Sequence, residues 1–158
     1  MNILVLCTGN SARSILLEAL LNDLSDGRVT AYSAGSDPAG AVHPYSLKLL
    51  EEQGYETAHL RSKSWDEFAA EDAPEMEAVI TVCGSAAGET CPIWPGAPVR
   101  AHWGVEDPAA APEDDWPGAF GTAYARLKHR AEALLAQPIE TLDAAELRAL
   151  LTRIGQTG

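Results

Sequence analysis

Basic residues are scarce in this sequence. It has 11 lysines and arginines against 23 aspartates and glutamates, so the formal net charge is −12 at pH 7. A surface this acidic repels nucleic acid and anionic membranes, and we expect neither as a partner. A small anion that binds here must be held by a few donors placed together at one site.

Long apolar runs are also absent. No stretch approaches the roughly 18 uninterrupted apolar residues of a membrane helix. The start, Met1 to Leu6, has no basic residue and is too short for a secretory signal. We therefore expect a cytoplasmic protein, and the length of 158 residues fits one domain, 1–158.

Cysteine is rare, with Cys7, Cys83 and Cys91 the three in the chain. An odd number in a protein expected to be cytoplasmic argues against a static disulfide framework. The cysteines lack the close pairing of a zinc site, so we expect no metal. A lone cysteine is most often a small buried hydrophobe, so its surroundings must decide its role.

Short apolar runs alternate with segments of helical spacing. The predicted strands are Asn2–Leu6, Val29–Ala34, Ala78–Val82 and Val99–Trp103. The predicted helices are one of about three turns after the first strand, one opened by His43-Pro44, a short one capped by Ser64, a long one marked by Phe120 to Leu134, and a terminal one at 143–154. We expect loops or frayed turns at 84–98 and 107–117. This alternation predicts an α/β fold with a parallel sheet, whose carboxyl edge gathers Cys7, Cys83 and His102-Trp103.

One loop between strand and helix has the composition of an oxyanion site. It reads Cys7-Thr8-Gly9-Asn10-Ser11-Ala12-Arg13-Ser14. Such a loop can turn successive backbone N–H groups inward, and the helix that follows adds its positive end. Arg13 supplies a planar fork for two oxygens. The same field should lower the pKa of Cys7 and make it a nucleophile, with Ser14 able to donate to the sulfur.

This loop resembles the signature of the low-molecular-weight protein tyrosine phosphatase superfamily, which includes thioredoxin-coupled arsenate reductases. Further motifs resemble the reductase branch: Ser33-Ala34-Gly35, His43-Pro44, Ser62-Lys63-Ser64 with Asp66-Glu67-Phe68, Cys91-Pro92, and His102-Trp103-Gly104 leading to Asp107-Pro108. The resemblance runs from residue 2 to about residue 135. It implies a four-stranded parallel sheet with helices on both faces, and the terminal helix is similar to an extension of many bacterial members.

The resemblance also implies the chemistry. Asp107 would be the general acid that protonates the departing oxygen, although most acids in so acidic a chain only solvate its surface. Cys83 and Cys91 flank a segment of small residues, so two thiols there could form a disulfide on demand. The predicted activity is arsenate reduction through a Cys7, Cys83 and Cys91 relay. It needs no tightly bound cofactor, but it needs an external dithiol donor, thioredoxin or glutaredoxin.

Two alternatives remain. A tyrosine phosphatase of the same fold would use Cys7, Arg13 and Asp107 alike, but such enzymes usually have aromatic residues after the Asp-Pro pair, where Ala109 and Ala110 stand here, and a second cysteine in the loop, where Ala12 stands. A non-catalytic anion sensor would leave the pKa of its cysteine near the ordinary value of about 8.5.

Some relatives hold a monovalent cation near the loop. In this sequence Asn10, Glu18 and Ser33 could contribute to such a site. The segment Ser62 to Ser64 carries Lys63 and no acid, which argues against such a site.

Overall fold

A computed structural model describes residues 1–70, 72–82 and 98–156. The strands are β1 (Asn2–Cys7), β2 (Thr30–Gly35), β3 (Ala78–Thr81) and β4 (Val99–His102). The α-helices are α1 (Arg13–Leu24), α2 (Pro44–Glu52), α3 (Trp116–Leu135) and α4 (Ala144–Gly155). Short 3₁₀ helices occupy Trp65–Phe68, Pro108–Ala110, Glu113–Asp115 and Ile139–Thr141.

The four strands form one parallel sheet in the order β2-β1-β3-β4. Register pairs Cys7 with Gly35 at the end of β1 and β2, and Leu6 with Thr81 across β1 and β3. Both central strands are apolar runs, as strands buried on two faces require. The predicted α/β class with a four-stranded parallel sheet is confirmed.

Side chains from the two faces of the sheet enter two cores. The larger core joins alternate residues of the strands, such as Ile3, Val5 and Ile80, to all four α-helices. The smaller core lies on the opposite face, where Leu4 and Leu6 meet the 3₁₀ helix Trp65–Phe68 among others. The loops that follow the strands begin at the carboxyl edge of the sheet, between these two cores.

Helix α1 is buried on all sides from Ser14 to Leu21. The sequence predicts a helix of about three turns here, and the structure places that helix, α1, between the sheet and the outer helix α3, so both of its faces are covered. A helix in that position must be apolar all round. Glu18 is the charged exception within this buried stretch, and its surroundings belong to the site described below.

The predicted helix starts agree with the structure, with one difference of type. His43 caps α2 through Nδ1, which accepts from the N–H of Tyr45, and Pro44 is the first helical residue. Ser64 caps the segment Trp65–Phe68 by accepting from the N–H of Asp66, but that segment is a 3₁₀ helix of four residues rather than an α-helix. The sequence from 107 to 117, predicted as loop, contains two further 3₁₀ turns.

The terminal helix α4 packs on the edge strand β4. Asp143 and Glu146 form a reciprocal capping box at its start, and Leu147, Leu150 and Leu151 are among its buried residues. The fully buried indole of Trp103 donates from Nε1 to the carbonyl of Leu151 at 2.9 Å. The predicted helix at 143–154 is thus part of the main core.

Candidate active site at the carboxyl edge of the sheet

Cys7 is the last residue of β1, and it is 4% exposed. The loop that begins there lies tightly against β2. A Cβ built on Gly35 would stand 2.4 Å from the carbonyl oxygen of Thr8 and 2.9 Å from that of Cys7. Only glycine fits so close to another backbone, so Gly35 sets how deep the loop sits.

The first carbonyl groups of the loop point away from its centre. Thr8 O accepts from the N–H of Asp37 at 3.0 Å, and Gly9 O accepts from the N–H of Ala39 at 2.9 Å. The hydroxyl of Ser62 also donates to Gly9 O, at 3.0 Å. These bonds hold the carbonyl groups outward, which leaves the amide groups free to face inward.

Ser11 is held in the same way from α2. Its carbonyl accepts from the N–H of His43 at 3.0 Å and from the hydroxyl of Ser46 at 3.0 Å. Ser46 is fully buried, so this tie is shielded from water. Ser62 belongs to the motif Ser62-Lys63-Ser64 found in the sequence, whereas nothing in the sequence distinguishes Ser46 from other serines.

The start of α1 is left open for an anion. Its N-cap, Ala12, makes no side-chain cap, and no acidic residue lies in the first turn. In the described part of the chain, the N–H groups of Gly9, Ser11 and Arg13 have no acceptor. Unpaired amides at a helix N-terminus form a ready anion site, because the helix dipole adds positive potential there.

Asn10 ties the loop from below. Its φ of 46° lies in the left-handed region, which asparagine tolerates better than most residues. The fully buried side chain donates from Nδ2 to Ser14 Oγ at 2.8 Å and to Ser33 Oγ at 3.0 Å. Its Oδ1 accepts from the N–H of Lys63 at 2.9 Å. Three of the four hydrogen-bonding positions of this amide are thereby used, both donors and one of the two acceptor positions.

A buried ion pair lies beneath Asn10. The Ser33 hydroxyl donates to Glu18 Oε1, and Lys63 Nζ stands 4.0 Å from the same oxygen while donating to Arg61 O at 2.9 Å. Burial raises the pKa of Glu18, although Ser33 and Lys63 oppose the rise. Burial lowers the pKa of Lys63, and Glu18 opposes that change. The Lys63 amino group therefore occupies the space beside Glu18, in the same cluster as Ser33 and Asn10.

Arg13 connects the loop from Cys7 to Ser14, called the anion loop below, to the segment after β4. Its Nη1 donates to Val105 O at 3.0 Å, and its Nη2 lies 3.7 Å from Asp107 Oδ2. The third nitrogen, Nε, is buried and has no hydrogen-bond partner. A buried guanidinium donor without an acceptor is costly, and an oxyanion at the loop would satisfy it.

Asp107 is at the rim of the site. Its side chain is 42% exposed, and its Oδ1 accepts from the N–H of Ala109 at 3.0 Å. An open cavity of about 540 Å³ begins beside it, lined by small residues that include Ala110, Ala111 and Ala119. The carboxyl group of Asp107 is thus near Arg13 and open to solvent.

The structure places Cys7 at the start of one loop and Arg13 and Ser14 at its end, where α1 begins, and Arg13 Nη2 lies 3.7 Å from Asp107 Oδ2. Cys83 and Cys91 lie outside the described residues, and so does the predicted loop 84–98 except for Pro98. His102 lies at the sheet edge, where Nδ1 and Thr81 Oγ1 are 2.7 Å apart. Val105, which holds Arg13, was missed because a backbone carbonyl leaves no signal in the side-chain pattern.

Within residues 1–70, 72–82 and 98–156, no group of three or more histidine, cysteine, aspartate or glutamate side chains could hold a metal ion. In the same ranges, no helix is both long enough and apolar enough to cross a membrane.

Comparison with known sequences points to one family. The family model for low molecular weight phosphotyrosine protein phosphatase matches residues 2–147. An arsenate reductase of Halalkalibacterium halodurans is 36% identical over 110 residues, which cover 70% of this chain and 76% of that protein. The arsenate reductase of Bacillus subtilis is 35% identical over 114 residues, covering 70% of this chain and 78% of that one.

Solved structures give the same result. An arsenate reductase in a phosphate-binding state superposes with a TM-score of 0.69 and 28% identity, covering 85% of this chain and 96% of its own. A thioredoxin-dependent arsenate reductase of Corynebacterium glutamicum superposes with a TM-score of 0.60 and 26% identity, covering 86% of this chain and 63% of that longer one.

Proposed function

The chain belongs to the low molecular weight phosphotyrosine protein phosphatase family, and we propose from that premise that it is an arsenate reductase. The observation that carries the proposal is the anion site at the start of α1. There the loop that begins at the buried Cys7 carries amide groups without an acceptor in the described residues, and it ends at an uncapped helix start where Arg13 Nε is unpaired. Arsenate is a tetrahedral oxyanion that such a site fits.

The proposed reaction begins at Cys7. Its thiolate attacks arsenic(V), a sulfur–arsenic bond forms, and an oxygen leaves as water after it takes a proton from Asp107. Arg13 and the loop amides stabilise the charge on the remaining oxygens. The result is a Cys7 thiol ester of arsenate, still at the arsenic(V) level.

Reduction then needs a second thiol. We propose that the Cys83 thiolate attacks the sulfur of Cys7, so that the sulfur–arsenic bond breaks and its electron pair stays on arsenic as arsenite. The Cys7–Cys83 disulfide is next attacked by Cys91, which releases Cys7 and leaves a Cys83–Cys91 disulfide. Two thiols supply the two electrons. The support for this relay is the sequence alone, in which both cysteines follow β3 around a run of small residues.

An external dithiol must reduce the final disulfide. We propose thioredoxin, because a structural relative is described as thioredoxin-dependent, and glutaredoxin is the alternative donor. Such chemistry requires a reducing compartment, which is consistent with the cytoplasmic location expected from the sequence.

The small residues after Asp107 favour reduction over dephosphorylation of tyrosine. Ala109 and Ala110 stand where an aromatic ring would flank a phosphotyrosine, and Ala110 lines the open cavity. The curated relatives named above are also reductases. A phosphatase would still use Cys7, Arg13 and Asp107, so the thiols must be tested directly.

The test compares wild type with Cys83→Ser and Cys91→Ser, using arsenate with thioredoxin and then with glutaredoxin. We expect multiple turnover only in wild type, and a Cys83–Cys91 disulfide in peptide mass spectra after one turnover. Cys83→Ser should stop before arsenite forms, while phosphate still protects its Cys7 from iodoacetamide. Turnover by Cys83→Ser at the wild-type rate would overturn the relay. No arsenite from wild type with either donor would overturn the reductase assignment.

A further inference from the structure

The segment from β4 to Asp107 is anchored at a single peptide unit. In the unit that joins Gly104 to Val105, the Gly104 carbonyl accepts from Arg130 Nη1 at 3.1 Å. The Val105 N–H at its other end donates to Val82 O at 3.2 Å. Because a peptide unit is planar, two bonds on opposite ends fix the direction in which it faces.

That orientation controls the catalytic arginine. The next carbonyl along the chain, Val105 O, accepts from Arg13 Nη1 at 3.0 Å. Asp107 follows two residues later, with Oδ2 3.7 Å from Arg13 Nη2. If the peptide rotated, Val105 O would turn away, and both the guanidinium and the carboxylate would lose the arrangement they have around the loop.

Arg130 reaches this peptide from the interior of α3. It is 4% exposed, and burial lowers the pKa of its guanidinium. Burying a guanidinium costs free energy that an apolar residue in the same helix would not incur. Arg130 is a buried cation, and it donates a hydrogen bond to the peptide unit whose next carbonyl holds Arg13. This combination indicates a role beyond packing.

We propose that Arg130 is a positioning residue of the active site: by fixing the Gly104–Val105 peptide it sets the orientation of Arg13 and the approach of Asp107 to a bound oxyanion. The inference rests on the proposed function for its kinetic readout. Arg130 acts through the peptide that it holds, because the next carbonyl along the chain is the one that accepts from Arg13.

The variants that test this are Arg130→Met, which keeps the bulk and removes the donors, and Arg130→Lys, which keeps a charged donor. Lys128→Met is the control, because it removes one positive charge from the same helix at a side chain with no hydrogen bond or ion pair among the described residues. The measured quantities are kcat/KM for arsenate and the phosphate concentration that half protects Cys7 from iodoacetamide.

We expect Arg130→Met to lower kcat/KM for arsenate on the order of 10- to 100-fold, as a displacement of about 1 Å in a catalytic group does. Phosphate protection should weaken as well, because Arg13 is no longer aligned. Arg130→Lys should recover part of both losses, and Lys128→Met should match wild type. If Arg130→Met does not fold, Arg130→Lys is compared with Lys128→Met instead.

A second background separates positioning from general destabilisation. With Asp107→Asn already in place, Arg130→Met should lower kcat/KM by a smaller factor than it does in wild type, because only its effect through Arg13 then remains and residues that act through one another are not additive. The same fold-change in both backgrounds would overturn the inference, as would equal behaviour of Arg130→Met and Lys128→Met. If wild type fails to reduce arsenate, the proposed function fails, and phosphate protection still tests Arg130 by itself.

Discussion

Asn10 joins a backbone requirement to a side-chain requirement. The loop turns back through a left-handed residue at φ 46°, and the same residue must hold Ser14, Ser33 and the N–H of Lys63. Glycine would meet the first need and glutamine the second, but asparagine meets both. This explains why a buried amide, with three of its four hydrogen-bonding positions used, lies at the base of an anion site.

The buried carboxyl group of Glu18 makes stability depend on pH. Burial raises its pKa above the ordinary 4.5. Between 4.5 and the raised value, the folded chain holds a proton that the unfolded chain has released. The free energy of unfolding that Glu18 contributes is therefore greatest below 4.5, and it is lost as pH rises through the raised pKa.

We expect Glu18→Gln to remove this dependence. The difference in free energy of unfolding between wild type and Glu18→Gln should shrink from pH 4.5 to 7.5, at a slope of no more than about 1.4 kcal/mol per pH unit. Urea unfolding at several pH values measures it, with Glu52→Gln as the control at an exposed position. An advantage that grows with pH would mean that the attraction to Lys63, rather than burial, dominates the pKa of Glu18.

At the scale of elements, the loop from Cys7 to Ser14 depends on how closely β1 and β2 approach. Gly35→Ala would place a methyl group 2.4 Å from Thr8 O, which belongs to backbone and cannot rotate away. We expect the loop to shift, with a loss of about 2 kcal/mol or more in unfolding free energy from overpacking and at least about tenfold weaker phosphate protection of Cys7.

The matched control is Gly121→Ala in α3. A Cβ there meets nothing within 4 Å, and the residue is inside a helix. We expect it to stabilise the protein by about 0.5–1 kcal/mol, since alanine favours helix over glycine, and to leave phosphate protection unchanged. If Gly35→Ala and Gly121→Ala bind phosphate equally well, the depth of the loop is not set by Gly35.

The elements also show what a sequence can and cannot reveal. The four strands, the helix starts at His43-Pro44 and Ser64, and the loop at Cys7 follow from local patterns, because caps and apolar runs act within a few residues. The bond from Arg130 to Gly104 O and the tie from Ser46 to Ser11 O join residues far apart in the chain. Only the packing of α2 and α3 creates them, so no local pattern predicts them.

At the scale of the whole molecule, the acidic surface and the anion site oppose each other. The net charge is −12, whereas the site gathers its positive potential from Arg13, a helix end and backbone dipoles. The negative potential of the acidic surface reaches into the solvent and is screened by salt over a Debye length of about 10 Å at 0.1 M. The positive potential of the anion site acts on an anion in contact with it and is screened less, because its donors are buried.

This difference predicts a rise of reaction rate with salt. Between about 10 and 150 mM potassium chloride, we expect alkylation of Cys7 by the anion iodoacetate to speed up a few-fold, because long-range repulsion is screened. Neutral iodoacetamide is the matched probe, and its rate should stay constant, since no charge must approach. If iodoacetate instead slows as salt is added, the positive potential of Arg13 and α1 extends beyond the acidic surface and steers anions inward. In that case, arsenate would be drawn to the site in spite of the net charge, and neutralising exposed acids far from the loop would leave its kcat/KM unchanged.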